Sequence, residues 1–103
     1  MSKTLLPPDD CQSMDDVRAG VDALDRLLVD LLDTRFGYMR AAARIKPERG
    51  HVRDEARKAQ VIANARNAAD SRGLPADAIA GLWDNLVEIS IAYELRQWDG
   101  NRG

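Results

Sequence analysis

The sequence predicts an all-α protein of three helices, long–short–long, closed into an intertwined homodimer. Three observations carry that prediction. No stretch alternates apolar and polar residues with the period of two that a strand requires. Pro7, Pro8, Pro47 and Pro75 cut the chain into a tail and three long stretches, each rich in Ala, Leu, Arg, Asp and Glu, which suit helices. The first stretch also carries an apolar seam too long for so small a chain to cover by itself.

That first helix opens with Ser13-Met14-Asp15-Asp16, a Ser N-cap with an acid three residues on, close to a capping box. Behind it Val17, Val21, Leu24, Leu28, Leu31, Arg35, Tyr38, Ala42 and Ile45 recur at alternating spacings of four and three. The seam runs to Lys46, where Pro47 stops it. At about 1.5 Å per residue the helix is roughly 50 Å long, and its seam calls for a second copy. Residues 47–53 read as a connecting loop. The second helix runs from Asp54 to Arg72 with an Ala-rich face (Ala59, Ala63, Ala69) and Ile62, and Gly73 is its natural C′ stop. Pro75 suits N1 of the third helix, which carries Ile79, Leu82, Leu86, Ile89 and Tyr93 on one stripe. A neighbouring stripe holds Trp83, Val87, Ile91, Glu94 and Trp98. The expected organisation is an N-terminal tail at 1–13, a helical domain at 14–98, and a polar, frayed C-terminal tail at 99–103.

Composition narrows the function. The chain's 103 residues make one domain or part of one, with 15 Lys plus Arg against 17 Asp plus Glu, a formal charge of -2 with His51 neutral. General nucleic-acid binders are usually strongly basic, so none is expected as a partner. Apolar residues at 45% and charged ones at 31% are an ordinary globular balance. No apolar run approaches the ~20 residues of a membrane span, and Met1–Pro8 is too short and too soon broken for a signal peptide. A single cysteine, Cys11, rules out an internal disulfide or a cysteine zinc cluster, and with His51 as the lone histidine a metal site is not expected. The expectation is a cytosolic protein without cofactor, metal, nucleic acid or membrane partner.

The informative residues are polar ones in apolar places. Arg35 occupies a seam position that a leucine would otherwise take; by itself it could snorkel or pair with an acid. Lys46, eleven residues on, points the same way to within about 20°. Two cations on an apolar face with no acid between them suggest an anion site, to which the loop can deliver Arg57. Arg18 lies about 26 Å before Arg35 along the axis and about 100° around it. Within one chain it reads as a solvated first-turn Arg, but in an antiparallel dimer it reaches the partner's Arg35 and Lys46. Glu94 stands among Val87, Ile91 and Trp98 with Ser90 one turn before it, as an ion-pair partner or a catalytic acid. His51 reads as a loop residue. Cys11 reads as an unactivated thiol, and the basic residues Arg57, Lys58, Arg66 and Arg72 chiefly as a solvated face. No glycine-rich phosphate loop occurs.

The run from Asp16 to Asp25 (DVRAGVDALD), Leu31–Arg35 (LLDTR), and Ala43-Arg44-Ile45-Lys46 together resemble the small all-helical chorismate mutases. Val52-Arg53-Asp54-Glu55-Ala56-Arg57 looks like that family's loop and second-helix start, and Ser90-Ile91-Ala92-Tyr93-Glu94 like its third-helix motif. The resemblance covers nearly the whole chain and lies in the set and order of residues. It implies an intertwined dimer with two equivalent sites, Arg18 coming from one subunit and Arg35, Lys46, Arg57, Ser90 and Glu94 from the other. It also implies the Claisen rearrangement of chorismate to prephenate. A pericyclic shift needs no nucleophile, metal or general base. It needs a flexible dicarboxylate held in its reactive chair-like conformer and stabilisation of charge growing on the ether oxygen. Arg18 and Arg35 would clamp carboxylates, Lys46 would donate to a carboxylate and the ether oxygen, and Arg57, Asp54 and Ser90 would orient the ring hydroxyl and carboxylate ends.

Two positions depart from the family pattern. Glu94 stands where many bacterial mutases have Gln; a carboxylate donates to the ether oxygen only when protonated, so Glu94 is expected to work as a neutral acid, with activity rising toward lower pH. Lys58 stands where many carry Glu, which bears on recognition of the ring substituent. Pro8–Met14 and the short Lys46-to-Arg57 spacing also look like isochorismate-pyruvate lyases, which share the fold and release pyruvate and salicylate from isochorismate. Asp54 and Ser90 favour the mutase. An aminodeoxychorismate mutase is a third possibility, disfavoured by Lys58 near a 4-ammonium group. A plain helical dimerisation module is the non-enzymatic alternative.

Overall fold

A computed structural model describes residues 6–103 of the chain; Met1–Leu5 of the expected tail lie outside the described residues. The order is α1 (Met14–Ile45), α2 (Glu55–Ser71) and α3 (Ala76–Asn101), with short 3-10 turns at Pro8–Asp10 and Arg49–His51 and no strand among the described residues. The all-α, long–short–long class expected from the sequence is what the chain adopts. No described helix is long and apolar enough to cross a membrane.

Each boundary has a local cause. Ser13 Oγ accepts the Asp16 N–H at 3.1 Å, while the Asp16 carboxylate accepts the Gln12 N–H at 3.1 Å. This is a reciprocal cap displaced by one residue from a true capping box. At the other end the Lys46 N–H still reaches Ala42 O at 2.9 Å, and Pro47 has no N–H with which to continue. Asp54 caps α2 by accepting the Arg57 N–H at 3.0 Å. The helix closes as the sequence predicts: Gly73 takes φ +69°, its N–H bonds Asp70 O at 3.1 Å, and Leu74 N–H bonds Ala69 O at 2.9 Å. That pair of bonds is the Schellman closure. Pro75 is the N-cap of α3 and Ala76 its first helical residue, one position later than expected.

The described residues divide within α1 into two compact units, one ending at Arg35 and one starting at Phe36. In the first unit the apolar seam lies open: Val21, Leu24, Leu28 and Leu31 are each about half exposed. In the second, Val52, Val87 and Ile91 form the core, with Val61, Leu95 and Trp98 packed against it. Ala43 of α1 is fully buried, and Ala69 and Ala80 nearly so.

Three expectations are corrected here. The packed face of α2 is Lys58, Val61, Ile62, Ala65 and Ala69, and the predicted face members Ala59 and Ala63 are exposed. Alanine gains little from burial, so Val61 and Ile62 orient the helix. Val52, read as loop, is 4% exposed in the core, because a single apolar residue in a turn has no periodicity to reveal it. The C-terminal residues expected to fray continue α3 as far as Asn101.

On α3 the stripe of Val87, Ile91 and Glu94 is buried together with Ser90, while Leu82 and Ile89 of the other stripe are exposed. Charges join α2 to α3: Lys58 Nζ lies 2.9 Å from Asp84 and 2.7 Å from Glu88, and the Arg53 guanidinium donates to Glu88 at 2.8 and 3.1 Å. Arg66 also pairs with Asp77.

Candidate active site

Lys46 and Glu94 are the two candidate residues that the second unit brings into an ion pair. Lys46 directly follows the last residue of α1, and Glu94 lies on the buried stripe of α3, 4% exposed. Lys46 Nζ stands 2.8 Å from Glu94 Oε2. The approach pairs the charges, but its angles fall short of a hydrogen bond, so Oε2 has a charge partner and no aligned donor. A buried carboxylate oxygen in that condition is uncommon and leaves a position for a ligand's donor or for a proton.

Ser90, one turn before Glu94, is buried, and its hydroxyl donates to Leu86 O at 2.7 Å. A helical Ser bonded to the i−4 carbonyl spends its hydroxyl hydrogen on its own helix. Asp54 and Arg57 meet through the N-cap, so one Asp54 oxygen serves the fold. Both side chains are exposed, and the Arg57 guanidinium donates to Gln60 of its own helix at 2.6 Å. The structure therefore brings Lys46 to Glu94 and Asp54 to the Arg57 backbone, while the Arg57 guanidinium is turned onto Gln60. Arg18 and Arg35 belong to the first unit. Arg18 is largely exposed, 4.0 Å from Asp15 on the same helix, and Arg35 is half-buried.

Several contacts around the Lys46–Glu94 pair were not foreseen from the sequence. Arg40 donates to the Tyr93 hydroxyl at 2.8 Å, and Phe36 packs edge-on against the Tyr93 ring at 4.9 Å. Trp98 Nε1–H donates to Lys46 O at 3.1 Å; Arg102 donates to Lys46 O at 2.8 Å and to Ala43 O at 3.0 Å, its guanidinium 4.1 Å from the centre of the Trp98 ring. Arg49 donates to Asp99 at 2.8 and 3.2 Å, which holds the Asp99 carboxyl below the usual carboxylate range and raises the guanidinium. The signal available in the sequence was the spacing of Glu94, Trp98 and Arg102 at i, i+4 and i+8, which places them on one helix face.

This arrangement, a cation at a helix end against a buried acid on a facing helix, sits on a chain whose residues 17–95 match the profile described as chorismate mutase type II. The chain belongs to the chorismate mutase type II family. Isochorismate pyruvate lyase of Pseudomonas aeruginosa (strain PAO1) is 29% identical to it over 96 residues, which span 93% of this chain and 95% of that protein. Lys58 pairs with Asp84 and Glu88: its hydrogen bonds to Glu88 and then to Asp84 raise the ammonium, and those from Arg53 and then Lys58 lower the Glu88 carboxyl to about 2. Lys58 thus faces α3 acids.

Proposed function

We propose that the chain is a chorismate mutase, catalysing the pericyclic rearrangement of chorismate to prephenate in the cytoplasm without a cofactor. The observation that carries this is the Lys46 ammonium 2.8 Å from a buried Glu94 oxygen with no aligned hydrogen-bond donor. An ammonium and a carboxyl so placed can bracket an ether oxygen on which charge grows, and in a water-poor wall such groups act strongly. Lys46 donates to the ether oxygen and a neighbouring substrate carboxylate. Arg35 clamps a carboxylate bidentately, and Arg57, Asp54 and Ser90 orient the ring hydroxyl and the remaining carboxylate end. Arg57 must leave Gln60 to do so, a side-chain rotation on an exposed surface.

The site is completed, on this reading, by a second copy. The open leucines of the first unit are an exposed apolar row of the kind that marks an interface. The largely exposed Arg18 would enter the partner's site across that interface and clamp the second carboxylate.

Glu94 acts as a neutral acid in the reactive complex. In the free chain it is Lys46's charge partner; only its protonated form has an O–H to donate to the ether oxygen. Turnover of the wild type should rise as pH falls from 8 to 5, while Glu94→Gln, which donates at any pH, should be active and nearly flat. A flat wild-type profile, or a Gln variant dead at neutral pH, overturns the assignment.

The name of the 29% identical relative favours a second reading, elimination of pyruvate from isochorismate. Ser90 and Asp54, as matches to the mutase motifs, support the first. Purified protein incubated separately with chorismate and with isochorismate decides: prephenate from chorismate is the expected product, and salicylate plus pyruvate from isochorismate alone would replace the mutase by the lyase.

A further inference from the structure

Lys46 is held at both of its ends by one face of α3. Its ammonium meets Glu94, and its carbonyl accepts the Trp98 indole N–H at 3.1 Å and an Arg102 N–H at 2.8 Å. Glu94 and Trp98 of α3 and Arg102, its C-cap, are spaced four apart, so they follow one another along a single face. The carbonyls at the end of a helix have no intrahelical donor and need one from elsewhere. At α1 the donors to these carbonyls come from Trp98, near the end of α3, and from Arg102, its C-cap. Arg102 bridges two of these carbonyls, Ala43 O and Lys46 O, and is itself fixed by stacking on Trp98. Asp99, between the two, anchors Arg49 of the following loop.

We propose that Trp98 and Arg102 are positioning residues for Lys46: they lock the backbone from which the lysine side chain springs, so that Nζ is delivered to Glu94 and to the reacting oxygen. Neither reaches the substrate. The C-terminal turn of α3 is thus part of the catalytic apparatus although it lies outside the family-matched residues 17–95. The role of the lysine in turnover rests on the function proposed above; the positioning of the lysine does not.

The test uses the full chain with Arg102→Ala, Arg102→Lys and Trp98→Phe, the last keeping the ring and removing the N–H. Lys46 is one of three lysines, with Lys3 and Lys58, so its side-chain 13Cε signal can be assigned by its loss in Lys46→Arg. Arg102→Ala and Trp98→Phe should each shift that signal and lower kcat about 10- to 100-fold with KM for chorismate within about twofold, since small misplacements cost that much. Arg102→Lys should recover part of the loss. An unmoved Lys46 signal overturns the proposal, whether or not thermal stability falls, as does a kcat within about twofold of wild type in both variants. If the wild type turns over neither chorismate nor isochorismate, the function is wrong while the Lys46 signal still decides the positioning.

Discussion

The two units of this chain solve the same problem, covering apolar helix surface, in opposite ways. From Phe36 onward a core is closed within the chain: Val52, Val87 and Ile91 cluster, and Ala43, Ala69 and Ala80 are buried, while Ile45, Leu82 and Ile89 stay exposed. Up to Arg35 there is none among the described residues, and Val21, Leu24, Leu28 and Leu31 stay about half exposed. The first unit has the stronger apolar periodicity and the poorer coverage. A regular seam is therefore a statement about what a helix must meet, and the partner need not be in the same chain. The proposed dimer reconciles the two units, and with it the placing of Arg18 and Arg35 on the open one and Lys46 and Glu94 on the closed one.

The comparison is broken most severely at Arg35. If it clamps a substrate carboxylate, Arg35→Ala should cut kcat/KM by about 100-fold or more with helicity unchanged. A dimerisation module with no reaction would tolerate the change or gain stability from losing a half-buried charge.

A matched pair of apolar substitutions sharpens the contrast. Ile91→Ala, in the closed unit, should cost about 2–5 kcal/mol in denaturant unfolding. Leu28→Lys, in the open one, should leave α-helix content intact and move the sedimentation mass toward the monomer. A Leu28→Lys protein with unchanged mass would mean that the seam is not the interface.

The smallest effect concerns the charges joining α2 to α3. Hydrogen bonds from Arg53 and then Lys58 lower Glu88 from 4.5 to about 2. A carboxyl lower in the folded than in the unfolded chain stabilises the fold above its unfolded value and loses that contribution as pH falls through its folded one. The melting-temperature gap between wild type and Glu88→Gln should hold from neutral pH to about 5 and close by about pH 2. A gap that does not change with pH would remove Glu88 as a charge anchor for α2.

The helices and most of their ends were legible because they are local events. Ser13, Asp54, Gly73 and Pro47 act on donors or dihedrals within a few residues, and the predicted boundaries fall within three residues of the observed ones. Lys46 and Glu94 were legible as polar residues on apolar stripes, a conflict visible in one dimension. The Trp98–Arg102 hold on Lys46 was not, since it joins residues more than fifty apart through a backbone carbonyl that leaves no mark on composition or period. Val52 was missed for a related reason: its burial follows from where two other helices meet. Lys58 looked like a bare departure from the family pattern until Asp84 and Glu88 supplied its partners on α3.

The central claim is a site shared between two copies, and mixing two crippled chains tests it most directly. Arg18→Ala and Lys46→Ala should each be nearly inactive alone. Co-refolded in equal amounts, half the symmetric dimers become hybrids in which one site holds both wild-type residues, so chorismate turnover should return to about a quarter of the wild-type value per chain. A mixture no more active than its two components would contradict the shared site.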